Sequence, residues 1–90
     1  MFKIQAEFLK NARGDAFIRF FDPAFVRADV IVLDRKSKSL YAVLHEQEHF
    51  LGDLDEAMCE SFSKCEQIHL TGILSNSRAV NLRAPLSVSN

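Results

Sequence analysis

The apolar residues of this chain fall mostly in runs too short for a helix, each closed by turn-forming residues. That pattern commits most of the chain to a sheet. Phe2, Ile4, Ala6 and Phe8 alternate with Lys3, Gln5 and Glu7, the period of two expected of a strand with one buried face. Asn11-Ala12-Arg13-Gly14-Asp15 supplies turn chemistry, and residues 16–21, AFIRFF, form the second arm of a hairpin. Asp22 before Pro23 suits a helix cap followed by a first helical position, enough for one turn through Phe25 and Val26. Val30-Ile31-Val32-Leu33 is a continuous, largely β-branched run and reads as a central strand. The polar loop DRKSKS and the apolar residues Leu40 to Leu44 complete a second hairpin over 29–45. Residues 67–74 and 79–88 make a third around Ser75-Asn76-Ser77. In its last strand Val80, Leu82, Ala84, Leu86 and Val88 share a face opposite Asn81 and Arg83, and Pro85, which cannot donate to a ladder, predicts an edge position.

One segment breaks the rule. Over residues 53–65, Leu54, Ala57, Met58, Phe62 and Cys65 recur at helical spacing, with Asp55, Glu56, Glu60 and Lys64 turned outward. Asp53 with Glu56 three residues on resembles a capping box. The expected fold is therefore α+β: one domain over residues 1–90, a mostly antiparallel, curved or barrel-like sheet of five to seven strands, and one main helix at about 53–65 packed on it. The hairpins offer more apolar face than one helix covers, so the sheet is expected to close into a barrel or to be buried in a homodimer.

Charge is balanced overall and uneven along the chain. The net charge is −1, which gives no global field for nucleic acid. Residues 1–44 hold eight Lys/Arg against five Asp/Glu, a net of +3; residues 45–66 hold seven acids against Lys64 alone, a net of −6. The acidic stretch is a solvated helix face or a docking face for a basic partner, with Asp55, Glu56 and Glu60 the partner-binding candidates. Cys59 and Cys65, six residues apart on a helix, point in directions a disulfide cannot join. Two free thiols fit a reducing compartment, and no run reaches membrane-spanning length, so the expected location is cytoplasmic, away from any membrane.

The segment HEQEHFLGDLD, residues 45–55, carries the sharpest chemical alternative. Its pattern H-E-x-x-H-x-x-G-x-x-D resembles the metzincin family of zinc peptidases. The resemblance implies a helix that presents His45 and His49 to zinc, Asp55 as third ligand and Glu46 as general base for a metallohydrolase. Gln47 and Glu48 stand where that family has an apolar and a small residue, and Met58 follows Asp55 by only three positions. The other reading of the same residues is a strand through Tyr41–Leu44, a tight turn at Glu46-Gln47, and a return strand through His49–Leu51. The strand is the expected conformation, with no metal or other cofactor.

Two further constellations complete the reading. His69 alternates with Ile68 and Leu70 and faces away from the core. Lys10, Arg13, Arg19, Arg27, Arg35, Lys36 and Lys38, with Phe17 and Phe21, could line a single-stranded nucleic-acid-binding barrel, although the acidic middle opposes phosphate. The leading expectation is a small binding or regulatory module without catalytic activity, acting through contact with a protein partner.

Overall fold

The computed structural model describes residues 5–73 and 75–86. Seven strands form one sheet: β1 (Ala6–Lys10), β2 (Ala16–Phe20), β3 (Val30–Asp34), β4 (Ser39–Leu44), β5 (Gln47–Asp53), β6 (Gln67–Gly72) and β7 (Ser75–Arg83). A 3-10 helix, Pro23–Arg27, separates β2 from β3, and one α-helix, α1 (Glu56–Ser63), separates β5 from β6. The spatial order is β1-β2-β6-β7-β3-β4-β5, and the sheet curls into a half-barrel.

The order corrects the expectation of a mostly antiparallel sheet. The β6–β7 hairpin, last in the chain, sits in the middle, between the β1–β2 hairpin and the β3–β4–β5 meander. Within each unit neighbouring strands are antiparallel, but β2 pairs with β6 in parallel, Phe17 opposite His69, and β3 pairs with β7 in parallel, Val30 opposite Asn81. The sheet is mixed. Local alternation specifies each hairpin and says nothing about where a finished hairpin docks. The same order removes β7 from the edge: Pro85 lies beyond the strand, which ends at Arg83, and β1 and β5 are the edges. Ser75, Asn76 and Ser77 belong to β7, so that hairpin turns earlier than expected, after β6 ends at Gly72. Phe2, Lys3, Ile4 and Val88, assigned to strand faces above, lie outside the described residues.

Local chemistry explains the connections. In the β1–β2 turn the Asn11 side chain accepts hydrogen bonds from the backbone N–H of Arg13 and Asp15, both 2.9 Å, and Gly14 takes a φ of +90°. Asp22 caps the 3-10 helix by accepting from Ala24 N–H at 3.0 Å, with Pro23 in the first turn, as the sequence suggests. Arg78 then holds that helix to the sheet, its guanidinium donating to the carbonyls of Val26 at 2.8 Å and Ala28 at 2.7 Å.

The helix starts later than its acidic residues suggest. Asp55, not Asp53, is the N-cap: its side chain accepts from Met58 N–H at 2.7 Å. Asp53 still belongs to β5 and accepts from the buried Ser39 hydroxyl at 2.8 Å. The buried stripe is close to the expected one: Leu54 and Phe62 are buried and Met58 and Cys65 pack half-buried against the core, but Cys59 is buried in place of the expected Ala57, which is exposed. Cys59 and Cys65 are both free.

The concave side holds the core. Ala16, Ile18 and Phe20 from β2, Ile31 and Leu33 from β3, Leu40 and Ala42 from β4, and Ile68 and Leu70 from β6 meet Phe62 and Cys59 of α1 and Val26 of the 3-10 helix. The strand directions place α1 at one end of the half-barrel and the 3-10 helix at the other. At a β-bulge beside Leu40, β5 turns both Leu51 and Gly52 inward. A Cβ on Gly52 would stand 3.1 Å from ring carbons of Phe8, so this glycine is where the two ends of the sheet come together through a side chain rather than a ladder. Its φ of +156° suits glycine as well. No helix among the described residues is long and apolar enough to cross a membrane.

Candidate functional site

The segment HEQEHFLGDLD is extended, not helical. Leu44 pairs with Gln47, Val43 with Glu48 and Ala42 with His49, so the two-residue turn consists of His45 and Glu46, one position earlier than the sequence suggests. Both turn residues have positive φ, 53° and 64°, the signature of a type I′ hairpin. Asn-Gly is the usual pair there, so the turn is held in place by the strands it joins and not by its own preferences.

This backbone takes the zinc ligands apart. Histidines four apart on a helix stand roughly 6 Å from one another. Here His45 is exposed at the hairpin tip while His49 lies within β5, three residues beyond the turn's last residue Glu46, roughly 10 Å along the strand at about 3.3 Å per residue. The half-buried His49 ring packs edge-on against Phe25, centroids 5.3 Å apart. Asp55 is committed to the helix cap and Gly52 to the contact with Phe8. The residues do not fit the zinc site that the motif implies. Among the described residues no three His, Cys, Asp or Glu side chains converge as a metal site would require.

The basic residues also scatter. Arg19 is on the outer face, 3.7 Å from Glu7. Lys10 donates to the Ser61 hydroxyl of α1 at 3.0 Å, Arg13 lies 3.6 Å from Asp15, and Lys38 lies 3.1 Å from Glu56. Arg35, Lys36 and Lys38 occupy the β3–β4 turn, and Arg27 the opposite end of the half-barrel. Neither Phe17 nor Phe21 belongs to the core cluster. Phe17 instead stacks on His69, centroids 4.7 Å apart, on the outer face, which is where the sequence points His69.

What the structure assembles is a surface. The outward residues include Leu9, Phe17, His69 and Ala79 in register across β1, β2, β6 and β7, and Val32, Tyr41 and Phe50 across β3, β4 and β5. Tyr41 and Phe50 meet edge to face at 5.6 Å, and Phe50 remains 42% exposed. Both helices lie on the other side of the sheet, so no second layer covers this face among the described residues.

Beside the outer face runs the edge strand β5. Cross-strand bonding alternates along an antiparallel pair. The tight turn makes Leu44–Gln47 a bonded pair, and Ala42–His49 follows two residues on. Glu48 and Phe50 therefore point their N–H and C=O groups away from β4. Residues 39–63 contain six acids and no Lys or Arg, and they form β4, the edge strand β5 and the helix that follows it. Glu46, Glu48 and Glu60 are exposed and have no ion-pair partner among the described residues. Sequence reading picked out the acidic helix, Asp55, Glu56 and Glu60, and missed Tyr41, Glu48 and Phe50. Their signal was the opposite alternation of Tyr41 and Val43 against Leu40, Ala42 and Leu44, legible only once the turn is fixed at His45-Glu46.

Set against family models, curated proteins and solved structures, the chain matches none of them.

Proposed function

We propose that this chain is a non-catalytic binding module that docks a partner protein on its half-barrel. The observation that supports the reading is the uncovered outer face, where Tyr41 and Phe50 form an aromatic pair with Phe50 in contact with solvent. An aromatic pair of this kind gives a docking partner apolar area at little entropic cost. The reading includes a cytoplasmic location, which the two free thiols favour.

The test compares the protein with a Tyr41→Ser, Phe50→Ser double variant that keeps the same circular dichroism spectrum. A protein captured by the first and lost by the second, then rebuilt as a complex from purified components, supports the reading. Equal capture by both removes the outer face as the docking surface. Sedimentation of the purified chain distinguishes a homodimer from a contact with a different protein.

A further inference from the structure

The geometry points to β5 as a strand-addition edge for an extended, basic segment of the partner protein. This inference rests on the binding-module reading and names the chemistry of the partner. Three observations carry it.

The first is the backbone. β5 ends the sheet, and the alternation of its bonds to β4 leaves the N–H and C=O groups of Glu48 and Phe50 directed outward. Proteins commonly block such an edge with Lys, Pro or a bulge. β5 contains neither Lys nor Pro, and its bulge lies beyond Phe50, at Leu51 and Gly52. The stretch Gln47–Phe50 is thus regular strand with a free side among the described residues.

The second is charge. Glu46 precedes this stretch and Glu48 lies within it, both exposed and without ion pairs among the described residues. A neutral or acidic strand would meet these carboxylates at a cost, and a strand with Lys or Arg at alternate positions would neutralise them. The other edge is different: β1 contains Lys10, and Arg13 follows it in the turn. The two open edges are therefore not equivalent templates.

The third is side-chain fit. An added strand projects every second residue to the outer face, where Phe50 and Tyr41 offer an aromatic surface beside β5. With Lys at alternate positions, the side chains on the outer face meet Glu48 by charge and cover Phe50 and Tyr41 with their methylene stems, while the apolar residues between them turn to the inner side. This is the strand-addition mode of peptide recognition, in which main-chain bonds give affinity and alternate side chains give selectivity.

The probe is a capped six-residue peptide, Lys-Val-Lys-Val-Lys-Val, titrated into the full chain. Companion probes replace Lys by Glu or carry N-methyl groups on alternate amides. The expected results are saturable binding of the basic peptide, slowed amide exchange at Glu48 and Phe50 but not in β1, and at least tenfold weaker binding of both companions. The Glu46→Lys, Glu48→Lys double variant, which touches no core residue, should weaken binding of the basic peptide at least tenfold and gain affinity for the acidic one. Absence of binding, protection confined to β1, or equal binding of the N-methylated peptide would each overturn the inference. If the peptide fails while capture still depends on Tyr41 and Phe50, strand addition is wrong and the binding module stands. If capture is also unaffected by the Tyr41 and Phe50 changes, both fail.

Discussion

The inner face of the sheet buries Ile18, Phe20, Ile31, Leu40, Ile68 and Leu70 completely, whereas the outer face of the same strands leaves Phe17, Tyr41, Val43 and Phe50 partly or largely in view of solvent. Both faces are apolar in places, but among the described residues only one has a cover. On the inner side α1 and the 3-10 helix bring Phe62, Cys59 and Val26 against the strands. On the outer side the strands must shield themselves. Val32 shows how far this goes: it is 2% exposed with only sheet neighbours in register, Tyr41 on one side and Arg83 on the other. The difference separates residues that hold the fold from residues available for contact.

The most direct way to break this comparison is to truncate one aromatic on each side. Phe62→Ala should cost about 3–5 kcal/mol in denaturant unfolding, the usual range for emptying a closed aromatic site. Phe50→Ala should cost less than about 1 kcal/mol, as expected of a partly solvated side chain. Similar losses from the two would mean that the outer face is structural after all.

Gly52→Ala probes the meeting point of the two edges. The new methyl group would press on the Phe8 ring, which must give way by a few tenths of an ångström, and the residue would hold an unfavourable φ, so a loss of about 1–3 kcal/mol is expected. A Phe8→Ala background should recover part of it, and a double-mutant cycle measures how much. Strict additivity would mean that the edges do not touch there.

Asp55→Ala should cost about 1 kcal/mol through loss of the helix cap, with faster exchange of the Met58 amide. Asp53→Ala removes the bond from Ser39 and should leave that amide's protection intact. The opposite pattern would move the cap back to Asp53.

The smallest expected effect is a gain. Replacing His45-Glu46 with Asn-Gly should raise stability by about 0.5–1 kcal/mol, because that pair favours the positive φ angles of the turn. A loss, seen as a lower Tm, would mean that the His45 or Glu46 side chain has a structural contact of its own.

These contrasts also show which parts of the molecule were legible beforehand. Alternation located the hairpins, Asp22-Pro23 marked the 3-10 helix, and the extended path up to His45 was favoured by a hairpin with residues 29–34, since the run Leu40 to Leu44 by itself is too short to separate strand from helix. Each depends on neighbours a few residues apart. The strand order did not follow, because nothing in QIHLTG records that it pairs with β2 in parallel. Gly52 had a sufficient local explanation as a loop glycine, and only the approach of Phe8 from the far edge reveals its position in the bulge. The candidate surface was half legible. Its acids were plain in the sequence, but the aromatic pair and the free backbone required the register of β4 and β5.

The central position of the β6–β7 hairpin has a consequence for how the chain reaches this structure. Phe17 must find His69 and Val30 must find Asn81, contacts about fifty residues apart that slow folding relative to hairpin closure. The β1–β2 hairpin and the β3–β4–β5 meander can each form early, but they share no strand pairing with one another. Made in order from the N-terminus, the chain completes its two flanks before the piece that joins them. During that interval β2 and β3, the strands richest in core residues, have unpaired edges and a risk of pairing with other chains. Expression at lower temperature or with a chaperone should therefore raise the soluble yield more than any change to the finished surface.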